Sequence, residues 1–286
     1  SLITLASLVL AIKSLAHNWP VSATAGIVFI CGALAFGRRQ ARLSDPLLTF
    51  DIFSSRIFSG GSLTAGGAMF GLSGLELVST QKLQLVDALS PLHAGLIISA
   101  MALSAIPTSI LGGATLHRVG FLPLISGGFL LMAAGMALVV VSRGETLPLL
   151  VSALVLTGLG AGLAMSVSST AIINAAPLHR TGMASGVEAV SYEFGTLISI
   201  ALTGTLVPLL MARELPPHLA ELGTDALHDP ASHAAAASAY NAGYLSTIGG
   251  LACFALLLAA ITAWCFRDNP KSGDPYAATQ QKDRSP

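Results

Sequence analysis

Charged residues are scarce in this sequence, and their scarcity sets the class of protein. Only 10% of the 286 residues are Asp, Glu, Lys or Arg, whereas 53% are hydrophobic and the mean hydropathy is +0.75. A soluble domain has about a quarter of its residues charged. The 14 basic and 14 acidic residues cancel, so the composition indicates no nucleic-acid partner. It is typical of a polytopic helical membrane protein.

Cysteine is also scarce. Cys31, Cys253 and Cys265 all lie in apolar runs, and their odd number argues against a disulfide framework. Their spacing fits no metal site, so we expect no metal and no cofactor. The chain begins at Ser1 inside an apolar run, without the basic segment of a signal peptide; we therefore interpret it as the later part of a longer protein.

The apolar runs predict an all-α membrane protein with eight transmembrane helices. The first two, at about 1–16 and 20–37, form a hairpin that turns at residues 17–20. A polar segment, 38–56, separates this hairpin from six further runs. These six runs cover about 57–80, 93–116, 120–142, 147–173, 182–211 and 243–266, each long enough for a bilayer.

Basic residues orient the predicted helices. If the loop 38–56 is cytoplasmic, ten basic residues share its side, namely Arg38, Arg39, Arg42, Arg56, Arg118, Arg180, Arg267, Lys271, Lys282 and Arg284. Three lie opposite, Lys82, Arg143 and Arg213, and Lys13 lies within the first helix. The positive-inside rule therefore places 38–56 and a disordered tail, 268–286, in the cytoplasm. The loop 213–242 is then external, where we expect a short helix or hairpin at the membrane surface.

Two glutamates interrupt the apolar run 182–211. If the helix enters the bilayer at Gly182, Glu193 lies roughly 16 Å deep, near the middle of a hydrocarbon core of roughly 30 Å, and Glu188 lies shallower. A charge there costs about 2.5–3.5 kcal/mol on insertion scales, so both carboxyls must face protein or water. Glu76 is a third acid, in the run 57–80.

The spacing of the two glutamates limits what they can do. Five residues separate Glu188 from Glu193 by about 140° around the helix and about 7.5 Å along it, so they cannot share one proton as a touching pair. Each then needs its own surroundings. The alternative is a structural role, in which a glutamate pairs with Ser, Tyr or a buried backbone group.

Small and hydroxyl-bearing residues mark the run 147–173. Gly158, Gly160 and Gly162 precede Ser166 and Asn174. Gly158 and Gly162 share one helix face, where a neighbouring backbone can approach closely. Two interpretations stay open: close helix packing alone, or a flexible helix whose Ser and Asn side chains line a substrate path.

The segment Gly113-Ala-Thr-Leu-His-Arg118-Val-Gly120 resembles a degenerate copy of the Gly-x-Leu-Ala-Asp-Arg-x-Gly loop of major facilitator superfamily transporters. His117 stands where that family usually has Asp. The resemblance implies that Arg118 binds the carbonyl end of a neighbouring helix and gates the inward side. Without the resemblance, the segment is an ordinary positive-inside loop with a glycine turn.

Several motifs together resemble the fourteen-helix drug:proton antiporter branch of that superfamily, the EmrB/QacA type. They are PLL at 46–48, LSPLHAGL at 89–96, the glycines at 158–162, Pro177 and GMASG at 182–186. In that branch two intercalated helices separate two six-helix halves. The resemblance therefore implies that 1–37 is the intercalated hairpin and 57–267 the C-terminal six-helix half. The N-terminal six-helix half is missing.

The resemblance is closest at GVEAVSYEFG, residues 186–195, which is similar to the acidic helix of multidrug and quaternary-ammonium exporters. It implies proton or cation coupling by Glu193, Glu188 and, as in methyl viologen exporters, Glu76, with Tyr192 and Gly195 beside them. The implied protein is not an enzyme. It exports lipophilic organic cations across the bacterial inner membrane, uses the proton gradient rather than a cofactor, and has the bilayer, cationic drugs, the missing half and a periplasmic adaptor as partners.

Two other functions remain compatible with the residues. One is a major facilitator carrier for another small molecule, such as an amino acid, a metabolite or a lipid. An anion carrier should have Arg or Lys within its spans, and among the predicted spans only Lys13 qualifies. The other is a truncated membrane protein that does not transport, because a single six-helix half has no opposing half against which to rock.

Overall fold

Long helices account for nearly all of the described chain. The computed structural model describes residues 7, 10–11, 19–40, 50–143, 146–216, 219, 222–227, 229 and 232–267. The seven described α-helices are α1 (Trp19–Gln40), α2 (Arg56–Leu85), α3 (Pro91–Val119), α4 (Phe121–Val141), α5 (Leu147–Ala175), α6 (Thr181–Glu214) and α7 (His233–Phe266). Short 3-10 helices form at Phe50–Ser54, Leu178–Arg180 and Gly223–Leu227.

Helix boundaries follow from local capping chemistry. The Ser55 side chain accepts the Phe58 N–H at the start of α2. Ser90 does the same for His93 at the start of α3, where Pro91 occupies the first helical position, which needs no intrahelical N–H donor. Gly120, with φ 88°, ends α3 and starts α4, a backbone angle that side chains other than glycine rarely adopt.

The helices form one bundle organised around α2 and α5. Helix α2 packs against α5, α6 and α7, and α5 also packs against α3 and α4. Large side chains at full burial fill the layer between them, including Phe129, Met132, Leu154 and Tyr244. The bundle therefore has a continuous interior that places α6 beside α2 and near α5.

Five described helices, α3 to α7, are long and apolar enough to cross a membrane. Helix α2 is equally long but carries Gly, Ser and Thr at many buried positions, because a helix surrounded by other helices needs small residues more than a lipid-facing apolar surface. In α1 the apolar run is shorter, Ala23–Gly32. The structure thus establishes an all-helical fold with five candidate spans, and the count of eight remains a prediction.

Two predicted boundaries differ from the structure. Helix α2 continues past residue 80 to Leu85, and α7 begins at His233, ten residues before the predicted 243. Hydropathy alone places a helix end where apolar residues stop, whereas hydrogen bonding carries both helices on beyond it. The predictions for the first helix, 1–16, the middle of the 38–56 segment and the tail, 268–286, lie largely or wholly outside the described residues.

The extension of α2 changes the position of Lys82. Sequence reasoning counted it as a loop residue, but it lies in the last turn of α2 with 4% of its surface exposed. Its ammonium group contacts Asp87 at 2.9 Å and lies 6.0 Å from the centre of the Tyr244 ring. A paired cation at a helix C-terminus is electrostatically favourable, which explains its burial.

Part of the external loop packs onto the bundle. The 3-10 helix Gly223–Leu227 buries Ala226 and Leu227 at the end of α7, and the Ser232 hydroxyl donates to the Ala226 carbonyl at 2.8 Å. This is a short helix, as the sequence suggested, although the structure seats it against protein.

Contacts at the two ends of the bundle agree with the predicted orientation. At one end Arg180 pairs with Asp51 at 3.0 Å and Arg56 lies over the Trp264 ring. At the other end Lys82 and Arg143 line one cavity of about 410 Å³. The residues assigned to opposite sides by charge are thus separated by the length of the helices.

We expect cysteine labelling to give the orientation directly. In a background without Cys31, Cys253 and Cys265, an impermeant maleimide added to intact cells should label Asp225→Cys. It should reach Gln40→Cys only after permeabilisation, because 38–56 is predicted to be cytoplasmic. Labelling of position 40 without position 225 in intact cells would reverse the assignment.

Candidate functional site

Helix α6 lies against α2 through very small side chains. A Cβ atom on Gly195 would overlap the Gly66 carbonyl oxygen, so the two backbones touch at this level. Above it, the Ser199 hydroxyl donates to the Phe70 carbonyl at 2.5 Å. Close backbone approach and a buried hydroxyl bond together fix the rotation of α6 about its axis. That rotation decides where each glutamate of α6 points.

Glu188 lies on the inner half of α6 and is half-buried. The Tyr192 hydroxyl, one turn further along, lies 3.1 Å from a carboxyl oxygen of Glu188 and 3.4 Å from the Met165 carbonyl of α5. Sequence spacing predicted that Glu188 and Tyr192 share a face. The Met165 contact could not be predicted, because it joins residues of two different helices.

Glu193 occupies a different face of α6 and is exposed on the bundle surface. Its exposed neighbours on the same face include Ala189 and Val190. The separation of Glu188 and Glu193 on different faces agrees with the angle of about 140° expected from helix geometry. The two carboxyls therefore have different surroundings, one partly enclosed and one open.

Glu76 is exposed on α2, nearer the outer end of the bundle. Across the interface, Ser73 of α2 lies 3.4 Å from Thr196 of α6. Glu76 is three residues beyond Ser73 and Glu193 three residues before Thr196. At 1.5 Å rise per residue, the two carboxyl-bearing positions differ by roughly 9 Å in depth along these parallel helices.

None of the three glutamates has a basic partner among the described residues. The two ion pairs found there join Lys82 to Asp87 and Arg180 to Asp51. Helix α5, the neighbour of Glu188, carries no titratable side chain along its whole length, Leu147–Ala175. Carboxyls without fixed counter-charges in long apolar helices can accept a proton or attract a cation.

The glycines of α5 act in helix contacts. A Cβ atom on Gly158 would overlap the Met101 carbonyl oxygen of α3, and one on Gly162 would overlap that of Ala105. Gly160, on another face, approaches the backbone of α4 in the same way. Ser166 is half-buried and Asn174 is exposed near the inner end of α5; substrate lining by either remains a prediction.

The predicted gating segment lies where α3 meets α4. Gly113 lies within α3, and an added Cβ atom there would reach the Ser166 hydroxyl at 3.5 Å. Arg118 is exposed in the last turn of α3, and Gly120 forms the helix boundary. The gating role of Arg118 stays a prediction.

Sequence reasoning missed a cluster at the inner end. The 3-10 helix Phe50–Ser54 packs Ile52 with Phe58, Ile172 and Ala184 from three helices. The Asp51–Arg180 pair joins this 3-10 helix to the turn before α6. No motif pointed to Asp51, because its partner is more than a hundred residues away in sequence.

Comparisons with known proteins place this geometry in a family. Residues 51–207 match the sequence model described as "Sugar (and other) transporter". The chain is 31% identical over 214 residues to the multidrug efflux pump LfrA of Mycolicibacterium smegmatis, covering 72% of this chain and 42% of that protein. It is 31% identical over 203 residues to the methyl viologen resistance protein SmvA of Salmonella typhimurium, covering 69% and 40%.

A third relative is the puromycin resistance protein pur8 of Streptomyces alboniger, 32% identical over 242 residues, with 82% of this chain and 46% of that protein covered. The chain thus spans less than half the length of these relatives. A crystal structure of a bacterial homologue of the lysosomal transporter Spinster aligns with a TM-score of 0.55 at 16% identity, covering 87% of this chain and 58% of that one. This likeness shows a shared fold.

Proposed function

This chain belongs to the major facilitator superfamily of transporters, and on that premise we propose that it forms the C-terminal part of an exporter that exchanges lipophilic organic cations for protons. Its relatives include a multidrug efflux pump and a methyl viologen resistance protein. Methyl viologen is itself an organic dication, which supports a cationic substrate class. The site of exchange is α6, with Glu193 as the principal group and Glu188 and Glu76 as auxiliary groups.

The absence of fixed counter-charges around these acids is the observation that carries the proposal. Within the described chain, no Lys, Arg or His forms an ion pair with Glu193, Glu188 or Glu76. A permanently paired carboxylate could not alternate between proton and cation, whereas an unpaired one can. Protonation removes the charge that attracts a cationic substrate, so proton and substrate compete for the same group. This competition is what couples the two fluxes.

An anionic substrate is less compatible with the spans. Lys82 is the one basic residue buried in a described helix, and Asp87 already neutralises it at 2.9 Å. An anion would therefore find no unpaired cation at the depth of Glu193. This argument leaves carriers of neutral compounds as the second candidate, which the family description "Sugar (and other) transporter" includes.

Inverted membrane vesicles provide the test of function. In vesicles that contain the protein as its gene encodes it, we expect an imposed pH gradient, acidic inside, to drive uptake of ethidium and methyl viologen. Collapse of the gradient by an ionophore should stop uptake. Transport of glucose or amino acids at the expense of these cations would instead favour the second candidate.

Residues 1–286 alone should give no resistance to quaternary ammonium compounds in a strain that lacks its own pumps. Alternating access in this superfamily needs two halves that rock around a midplane site, and the chain spans about two fifths of its relatives. Growth inhibition is the measurement, with the gene's full product as the positive control. Resistance from residues 1–286 would indicate a dimer of halves.

A further inference from the structure

The hydroxyl of Tyr192 lies between acceptors on two helices. It is 3.1 Å from Glu188 Oε1 on its own helix, α6, and 3.4 Å from the Met165 carbonyl oxygen on α5. A phenol has one proton to donate, and its oxygen can also accept. Tyr192 therefore cannot donate to both acceptors at once, and the charge on Glu188 decides between them.

The two protonation states of Glu188 give opposite hydrogen-bond directions. When Glu188 is a carboxylate it can only accept, so the Tyr192 O–H donates to it, and a bond to a charged acceptor is the stronger choice. When Glu188 carries a proton, its own O–H can donate to the Tyr192 oxygen. The Tyr192 O–H is then free to donate to Met165. The proton on Tyr192 never leaves its oxygen, and the one proton gained resides on Glu188.

We propose that Tyr192 is a positioning residue that converts protonation of Glu188 into a hydrogen bond between α6 and α5. The Met165 carbonyl also accepts from Ser168 at 2.9 Å, so the new bond competes at an acceptor already in use. Helices α5 and α6 otherwise meet over a short stretch, so one such bond changes a large part of their polar contact. The meaning of this exchange for transport rests on the proposed function.

Other charged groups lie away from this pair. Helix α5 has none, and the part of α2 that faces it, residues 57–75, contains no titratable side chain. The Asp51–Arg180 pair lies at the inner end, with Arg180 eight residues before Glu188, roughly 12 Å along the helix direction. Helix α7 meets α6 at its outer half, where Gly243 approaches Val207, and Glu193 points elsewhere. Tyr192 is thus the titratable side chain that touches Glu188.

Infrared difference spectroscopy of the chain in lipid vesicles tests the proposal without transport. Between high and low pH, the C–O stretch of one tyrosine, identified by ring deuteration, should shift as Tyr192 changes from donor to donor and acceptor. We expect Glu188→Gln to abolish that shift. Tyr192→Phe should remove the band and raise the midpoint of the Glu188 carboxyl signal by about one pH unit, because the carboxylate loses its donor.

Tyr240→Phe is the matched control. Tyr240 is buried and its hydroxyl has no hydrogen-bond partner in the described structure, so its removal should leave both signals unchanged. A tyrosine band that ignores pH in the wild type, or that shifts equally in Glu188→Gln, would overturn the proposal. The proposed function fails separately: if Glu193→Gln exports normally while the Tyr192 shift is present, the exchange exists without the assigned transport role.

Discussion

Replacing Glu193 by Gln should reduce pH-gradient-driven export of ethidium and methyl viologen to less than about a tenth of the wild-type rate. Glutamine keeps the size and hydrogen-bonding capacity of the side chain but can neither release a proton nor attract a cation. Glu193 is exposed on the bundle, without a basic partner among the described residues. Its charge is therefore available to a substrate rather than consumed by the fold.

The other acids give a graded comparison. Glu188→Gln should be milder and dependent on the substrate, because Tyr192 already shares the Glu188 charge. Glu76→Gln should be milder still, because it lies roughly 9 Å nearer the outer end. Glu214→Gln is the matched control, since Glu214 is an exposed glutamate in the last turn of the same helix.

Rates in inverted vesicles at matched expression are the measurement for this series. The folded state should be equal in all four variants, because Glu76, Glu193 and Glu214 are exposed and Glu188 is half-buried. Wild-type export by Glu193→Gln would remove this residue from the coupling mechanism. An equal loss in Glu214→Gln would show that any charge change on α6 is harmful.

A second large effect is expected at Gly195. Even a methyl group there would overlap the carbonyl of Gly66, and this obstacle is backbone, which cannot rotate away. Gly195→Ala should therefore destabilise the folded protein by about 1–3 kcal/mol, and Gly195→Leu should prevent α6 from seating on α2. Unfolding in mixed micelles, followed by circular dichroism, measures the difference.

Gly186 offers the control for that experiment. It belongs to the same helix, but nothing lies within 4 Å of an added Cβ atom. Gly186→Ala should be neutral or slightly stabilising, because alanine favours a helix over glycine by about 1 kcal/mol. A loss of stability in Gly186→Ala that equals the loss in Gly195→Ala would show that helix propensity, and not the α2 contact, governs both.

The sequence predicted part of the candidate site correctly, for reasons that are local. Glu188 and Tyr192 are four residues apart, and helix geometry alone puts them on one face; the structure places them 3.1 Å apart. The different exposures of Glu188 and Glu193 agree with their angular separation. Neither result required knowledge of another helix. The roles of these residues in coupling remain predictions.

Other features could not be predicted because they join distant residues. Lys82 was assigned to a loop, yet it is buried in α2 beside Asp87 and Tyr244. The contact of Tyr192 with Met165 and the contact of Asp51 with Arg180 depend on how separate helices meet. Hydropathy measures the preference of one segment for lipid, and it contains no information about its neighbours.

The sequence by itself determined the class of protein, the approximate positions of the helices, the side on which basic residues collect and the helix that carries the two glutamates. Each of these follows from the cost of placing polar groups in hydrocarbon, which acts on one segment at a time. Tertiary structure decided that α2, less apolar than its neighbours, packs among three other helices. It also decided that Glu193 is open while Glu188 is held by Tyr192. Those outcomes depend on backbone contacts such as Gly66 with Gly195, which fix helix rotation only after the helices have assembled.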